Sequence, residues 1–569
     1  MKKVGRLFAV VTERIAGNQK LLLWYFLAVL MFTNTVLLFT ERMSFLSMVA
    51  FITVPVGVQL LFLALPKRPG KAFLWMFIKC VLDAFQMVLI VMYGGSIIGV
   101  DMFLNVTTTS VREATELLSS LMPTMALLII IYIPALYFSI RSLKKMELSC
   151  TYRKGVKKLS GSIILVGVVF MVFASFSKKG YTIKYDLYPC NAVYNMGYAI
   201  KKMHEISQYP KYSHDFKYNS VHTPVYVDSV KQREIAVLVL GETSRALNFG
   251  VYGYERNTTP HLDSIGNLVV YSDVLTESNT THKIVPMVLS PAQADNYEII
   301  KEAKSIVTAY KEAGFKTAFL TNHVYNLGYA NYYFDEADIK VNNRETSLLD
   351  GDMISHFSRI IDSTEENLFF VVHLYGSHFR YYDRYPREFA YFTPDESPDL
   401  SFKYKAENIN AFDNSIYYTS YIVSEIIKHV QTKGAVSHVM YVSDHGEDLM
   451  DDSRKRLLHA SPVPTFYQLY IPFMLWTSDA YNSFKGEKVA NIVANKDVPI
   501  SNSAVFHTMM DMSSISTEYL RKDYAVSSDE FIWHSREYLT DHYTSCKIKD
   551  LQLRKYDWEQ FDKRGKSIE

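Results

Sequence analysis

The sequence predicts a two-part protein, a helical membrane region of five spans followed by an α/β domain with a largely parallel central sheet. Three observations carry this. At 569 residues the chain exceeds one ordinary domain. Its first third holds long apolar runs at residues 21–40, 45–65, 72–93, 124–140 and 161–177. Beyond residue 233, short β-rich runs alternate with helical stretches, the pattern of a sheet built from parallel strands.

Each apolar run is close to the roughly 17–25 residues that a helix needs to cross the hydrocarbon core. Nearly uncharged helices in such succession do not suit a soluble core, and no small-residue cleavage pattern follows the first run, so none is a removable leader. Orientation follows from the basic residues. Lys2, Lys3, Arg6, Arg14 and Lys20 precede the first run, Lys67, Arg68 and Lys71 follow the second, and seven Lys or Arg lie between 141 and 158. The intervening loops offer only Arg42 and Arg112. Alternate loops are thus basic, which places the N-terminus in the cytoplasm and the region after residue 177 on the far side of the membrane; in a two-membrane bacterium that membrane is the inner one and that compartment the periplasm. Lys79 and Asp83 lie one helical turn apart inside the third run, a spacing that lets them neutralise each other where a lone charge is costly. The expected division is a membrane anchor over 1–180, a connector rich in Tyr, Lys and His over 181–232, and a catalytic domain over 233–569.

The net charge of +2 gives no reason to expect a nucleic-acid partner. Four cysteines, Cys80, Cys150, Cys190 and Cys546, lack the spacing of a thiolate metal site. Only Cys190 and Cys546 share the outer compartment, and sequence leaves their pairing open.

In the second part, strands are expected at 235–240, 317–320, 368–373, 439–442 and 471–476. Sites in open α/β sheets form beyond the carboxyl ends of the strands, and there the polar signals fall. The first strand runs into Gly241-Glu242-Thr243, the third into Gly376-Ser377-His378, and the fourth into Ser443-Asp444-His445-Gly446-Glu447. Carboxylate and imidazole together suit Zn²⁺, with Mn²⁺ a weaker fit, and the remaining ligand would be the reactive group. Thr280 and Thr281 by themselves read as a polar turn and helix cap.

These residues resemble the bacterial phosphoethanolamine transferases, among them the lipid A-modifying enzymes, within the alkaline phosphatase/sulfatase superfamily. The likeness runs through Gly241-Glu242-Thr243-Ser244-Arg245-Ala246, Tyr254-Glu255-Arg256-Asn257-Thr258-Thr259-Pro260, Thr281 five residues before Pro286, and Ser443-Asp444-His445-Gly446-Glu447. It implies a catalytic domain of alkaline phosphatase/sulfatase type, with Thr281 as the nucleophile that receives phosphoethanolamine and Glu242, Thr281, Asp444 and His445 as zinc ligands. His378 and His459 match histidines that hold the substrate phosphate or a second zinc, so one or two Zn²⁺ ions are expected. Asn105, Thr109 and Glu113, recurring at every fourth position on one helix face, resemble the family's lipid-substrate residues. Members that modify lipid A carry cysteines flanking the nucleophile, where this chain has Glu277 and Met287.

The resemblance implies transfer of phosphoethanolamine from phosphatidylethanolamine to an envelope acceptor, whether lipid A, lipopolysaccharide core or a glycan, by a monomer working at the membrane. Its rivals are a glycerophosphate transferase of the lipoteichoic acid synthase type and an inactive, membrane-tethered binding protein.

Overall fold

The computed structural model describes residues 12–108, 111–177, 181–325, 328–345, 347 and 349–569. The N-terminal part is helical: α1 (Gln19–Thr40), α2 (Phe45–Leu63), α3 (Pro69–Trp75), α4 (Phe77–Tyr93), α5 (Val100–Thr108), α6 (Val111–Ser142) and α7 (Cys150–Ser175). Helices α1, α2 and α7 start on a side-chain cap: Asn18, Ser44 and Ser149 accept from the backbone N–H groups of Leu21, Ser47 and Tyr152. Helices α1, α2, the Ser120–Ser142 part of α6, and α7 are each long and apolar enough to cross a membrane, and α3 with α4 adds a fifth span if that pair, bent by 56°, is counted as one. The five apolar runs of the sequence therefore all become helices, the third of them broken at Met76.

One turn after that break sits the charged pair expected from the sequence. Lys79 Nζ donates to both carboxylate oxygens of Asp83 at 2.9 and 2.8 Å, and also to the Leu30 carbonyl of α1 at 2.7 Å. Asp83 in turn accepts from the hydroxyls of Tyr188 at 2.7 Å and Tyr132 of α6 at 3.4 Å. A spacing of four residues foretells the ion pair but not its other partners, which make it a junction between α1, α4, α6 and the segment after α7.

The chain divides into two compact units, one formed by the chain up to Phe103 with Leu118–Ala199, the other by Leu104–Leu117 with Ile200–Glu569. Cys80, Cys150, Cys190 and Cys546 are all free thiols.

The second unit is built on a seven-stranded sheet. In chain order its strands are β1 (Glu234–Gly241), β2 (Leu268–Val270), β3 (Lys316–Thr321), β4 (Ile339–Asn342), β5 (Leu368–His373), β6 (Val436–Ser443) and β7 (Phe473–Thr477), arranged β2-β7-β6-β1-β5-β3-β4. The run from β6 to β4 is parallel throughout, while β7 lies antiparallel to β6 and to β2. Strands β1, β5 and β6 are buried at every position, because both faces are covered. Ala236, Leu238 and Leu240 of β1 enter the main core with Phe369, Val371, Met440 and Val442, while Ile235, Val237 and Val239 are equally buried on the other face.

What matters for a site is where these strands stop. Gly241 pairs with Ser443, Leu240 with His373, and His373 with Thr321, so β1, β3, β5 and β6 end at one level of the sheet. The residues that follow each strand emerge side by side along one edge.

Removing one partner of the buried Lys79–Asp83 pair strands a charge, which costs about 3–5 kcal/mol. Lys79→Met is therefore expected to lower the melting temperature in detergent sharply, and the double variant Lys79→Met/Asp83→Leu to recover part of the loss.

Candidate metal centre

Four strand ends and one helix start supply the centre. Glu242 follows β1 directly, and Asp444 and His445 follow β6, its neighbour in the sheet. Thr281 comes from elsewhere: it is the first residue of α8 (Thr281–Val288). Its hydroxyl thus stands at the positive end of the helix dipole, where developing negative charge is favoured.

These side chains converge. Thr281 Oγ1 donates to Glu242 Oε1 at 3.0 Å and lies 3.1 Å from His445 Nε2. His445 Nε2 is in turn 3.7 Å from Glu242 Oε1 and 3.2 Å from Asp444 Oδ2. The other ring nitrogen, His445 Nδ1, meets the Gly446 carbonyl at 3.0 Å. A proton on Nδ1 satisfies that carbonyl and leaves the Nε2 lone pair turned to the cluster, as a metal ligand requires.

The donor set fits a divalent cation. Glu242, Asp444 and His445 are fully buried, and neither Glu242 Oε2 nor Asp444 Oδ2 has a hydrogen-bond partner among the described residues. Burial, with the Asp444 carboxylate beside it, pushes the Glu242 carboxyl well above the usual carboxylate range. Two carboxylates this close in a dry pocket are stabilised by a positive charge between them or by a shared proton. Oxygen and imidazole donors in this mixture suit Zn²⁺.

The surrounding backbone fixes these groups. Thr243, at φ 63°, donates its N–H to Asp444 Oδ1 at 2.9 Å, which locks the two ligand-bearing turns together. Gly376 has φ 54°, and a Cβ there would stand 2.6 Å from the Glu242 carbonyl oxygen, so no side chain fits. Asp350 holds the same turn by accepting from the N–H groups of Tyr375 and Gly376 at 2.9 and 2.8 Å.

Two further histidines join the centre. The ring of His459 lies 4.2 Å from that of His445 and 6.0 Å from that of His378, and donor atoms of Glu242, His445 and His459 all fall within 4.8 Å of one another. Burial between His445 and His378 pushes the His459 imidazole well below the ordinary range. Arg384 steadies His378, donating from Nε to its carbonyl at 2.7 Å while lying 4.5 Å over the Tyr375 ring.

The structure thus brings Glu242, Thr281, Asp444, His445, His378 and His459 to one place. The helical trio is only partly described. Asn105 lies half-buried in α5, Thr109 falls outside the described residues, and Glu113 lies in α6 with its side chain outside them. Four other residues stand at the centre without having been singled out. Glu447 is fully buried, its Oε1 3.9 Å from His459 Nδ1. Asp350 braces the Gly376 turn, and His323 and His373 approach Glu242 from the β3 and β5 side. His373, closing a strand, and Glu447, inside a quoted motif, were visible in sequence. Asp350 and His323 carried no signal.

Where the resemblance sets a cysteine before the nucleophile, Glu277 does its own bracing. It is fully buried and accepts from the Ala294 N–H at 2.7 Å and the Ser501 hydroxyl at 2.6 Å. Burial pushes its carboxyl up to about 7, from an ordinary 4.5.

Comparison with known proteins follows the same division. Residues 235–515 match the family model described as Sulfatase, and residues 58–203 the one described as Phosphoethanolamine transferase EptA/EptB. Among curated relatives, phosphoethanolamine transferase EptC of Escherichia coli strain K12 is 27% identical over 308 residues, 51% of this chain and 52% of that protein. The Kdo(2)-lipid A phosphoethanolamine 7''-transferase of the same strain is 28% identical over 288 residues, 48% of this chain and 50% of its own length. The chain therefore spans about half the length of the curated relatives it matches. Among solved structures, the C-terminal periplasmic domain of EptC from Escherichia coli superposes with a TM-score of 0.52 at 25% identity, covering 58% of this chain and 98% of that one. The integral membrane lipooligosaccharide phosphoethanolamine transferase A from Neisseria meningitidis shares the fold across 91% of this chain and 98% of its own, with a TM-score of 0.66 at 20% identity.

Two outcomes test the geometry. Gly376→Ala forces the Glu242 backbone aside and is expected to weaken zinc binding at least about tenfold, the scale of a disturbed ligand support, as read by competition with a chelating dye. Glu277 holds a proton in the fold that the unfolded chain has released, so its contribution to stability falls as pH rises from 4.5 to about 7. Glu277→Gln should flatten that part of the melting-temperature profile, and an unchanged slope would assign the slope to other groups.

Proposed function

We propose that this chain, whose residues 235–515 match the Sulfatase model and 58–203 the Phosphoethanolamine transferase EptA/EptB model, is a phosphoethanolamine transferase of the alkaline phosphatase/sulfatase superfamily that carries phosphoethanolamine from phosphatidylethanolamine to a cell-envelope acceptor by way of Thr281. The observation that carries this is the meeting of a helix-opening hydroxyl with two carboxylates and an imidazole: Thr281 Oγ1 stands 3.0 Å from Glu242 Oε1 and 3.1 Å from His445 Nε2.

Zn²⁺ held by Glu242, Thr281, Asp444 and His445 would supply the positive charge that lowers the pKa of the Thr281 hydroxyl and offsets charge on the phosphoryl group. Thr281 Oγ1 attacks phosphorus. The Oγ1–P bond forms, the bond from phosphorus to the diacylglycerol oxygen breaks, and the proton lost by Thr281 ends on that oxygen. An acceptor hydroxyl or phosphate then attacks the same phosphorus, the Oγ1–P bond breaks, and Thr281 regains a proton. His459, packed on His445, and His378 beyond it hold phosphoryl oxygens or move these protons. The N-terminus of α8 adds backbone N–H groups to the same task.

The apolar helices give the anchor a purpose, since a lipid donor need not leave the bilayer. In this reading the protein works as a monomer in the inner membrane with its second unit in the periplasm, and Asn105, Thr109 and Glu113 contact lipid. Lipid A, lipopolysaccharide core and surface glycan are the acceptor classes. The first of these is supported by the relative named for Kdo(2)-lipid A.

Intact-mass analysis after incubation with phosphatidylethanolamine is expected to show one added phosphoethanolamine group on Thr281, and none with Thr281→Ala. That variant should lose turnover by a factor on the order of 10⁴ or more, the scale on which a covalent nucleophile is missed. Labelling from phosphatidylglycerol instead would identify a glycerophosphate transferase.

A further inference from the structure

The Glu242 carboxylate has two sides, and the site described above uses one of them. Oε1 faces Thr281, Thr243 and His445, accepting from the first two at 3.0 and 2.9 Å. Oε2 faces the ends of β3 and β5. His323 Nε2, two residues past β3, stands 4.0 Å from it. His373 closes β5, in register with Leu240 of β1 and Thr321 of β3. One donor atom each from Glu242, His323 and His373 falls within a common 4.8 Å.

Glu242 Oε2 and His373 Nε2 are both buried, and neither has a hydrogen-bond partner among the described residues. A buried carboxylate oxygen and a buried imidazole nitrogen close to the same space, each without a hydrogen-bond partner, fit a cation held between them once the imidazole proton sits on Nδ1. Two imidazoles and a carboxylate form the ligand set of catalytic zinc sites that keep a fourth position open.

We infer that Glu242 Oε2, His373 Nε2 and His323 hold a second divalent cation, with Glu242 bridging it to the first. The inference rests on the reading of Glu242 as a ligand of the first ion. It places the second ion on the β3 and β5 side of Glu242, away from the His378 and His459 pair that the resemblance suggested. His323 meets the Leu374 carbonyl at 2.8 Å, and its ring stacks on that of His373 with centroids 3.9 Å apart and planes at 16°. Parallel rings cannot both aim a lone pair at one ion, so ligation turns His323, the partly exposed member, off the Leu374 carbonyl, while His373 keeps its place in the strand.

The test counts zinc. Full-length protein in detergent is stripped with a chelator, titrated with Zn²⁺ alone, passed through a desalting column and assayed by inductively coupled plasma mass spectrometry. Wild type is expected to retain two equivalents, and His373→Ala and Asp444→Asn one each. One equivalent in wild type, lost in Asp444→Asn and kept in His373→Ala, would overturn the second site and leave the first standing. Two equivalents in Asp444→Asn would instead refute the first. Two equivalents in His373→Ala, with one lost in His378→Ala, would move the second ion to the other histidine pair and overturn the inference. If His373→Ala does not fold, His323→Gln decides, since its second equivalent should bind at least about tenfold more weakly than that of wild type, and equal binding would overturn the inference.

Discussion

The in-register parallel pairing of β6, β1 and β5 is the constraint on which the site depends. Ser443 opposite Gly241, and His373 opposite Leu240, bring three strand ends to one level. The residues that follow are therefore neighbours across strands spaced about 4.8 Å apart. A shift of one residue in any of these pairings would turn a ligand to the opposite face of the sheet. The register is held by the burial of β1, β5 and β6 on both faces, so the packing of Ala236, Leu238, Phe369 and Met440 positions the chemistry. Turn backbones finish the alignment, through the Thr243 N–H on Asp444 and the close approach of Gly376 to Glu242.

That assembly concentrates charge where water is scarce. Glu242 and Asp444 are fully buried beside each other, and Glu447 is buried close by. Taken as an isolated fold, such a centre is costly, because buried carboxylates without counter-charge are driven toward protonation. A divalent cation bound between them would supply the missing positive charge. Glu277 shows the same economy at a smaller scale. It joins the nucleophile loop to Ala294 and Ser501 through hydrogen bonds, in the place where the lipid A-modifying relatives are expected to carry a cysteine.

Much of this was legible in the sequence, for identifiable reasons. The apolar runs are long enough to declare helices by composition alone, and all became helices. Strands β1, β5 and β6 are continuous β-rich runs ending in polar residues, which is the mark of a parallel sheet with a site at its edge. Strand β7 was expected to begin at residue 471 and starts at Phe473, and its antiparallel direction could not be read from its residues. The short strands Leu268–Val270 and Ile339–Asn342 escaped because they lie at the sheet edges and are half-exposed, so their patterns are weak. Thr281 could be named only through resemblance, since a threonine that opens a helix looks like any other polar turn. His323 and Asp350 were invisible because their roles come from register and turn geometry, not from neighbours in sequence. The branching of the Lys79–Asp83 pair to Leu30, Tyr132 and Tyr188 was hidden for the same reason.

The most direct test of this arrangement is anomalous diffraction at the zinc absorption edge from crystals of the zinc-loaded protein. A peak is expected within about 2.0–2.2 Å of oxygen or nitrogen atoms from Glu242, Thr281, Asp444 and His445 together. Strong zinc peaks elsewhere, with none touching the Thr281 hydroxyl, would contradict it.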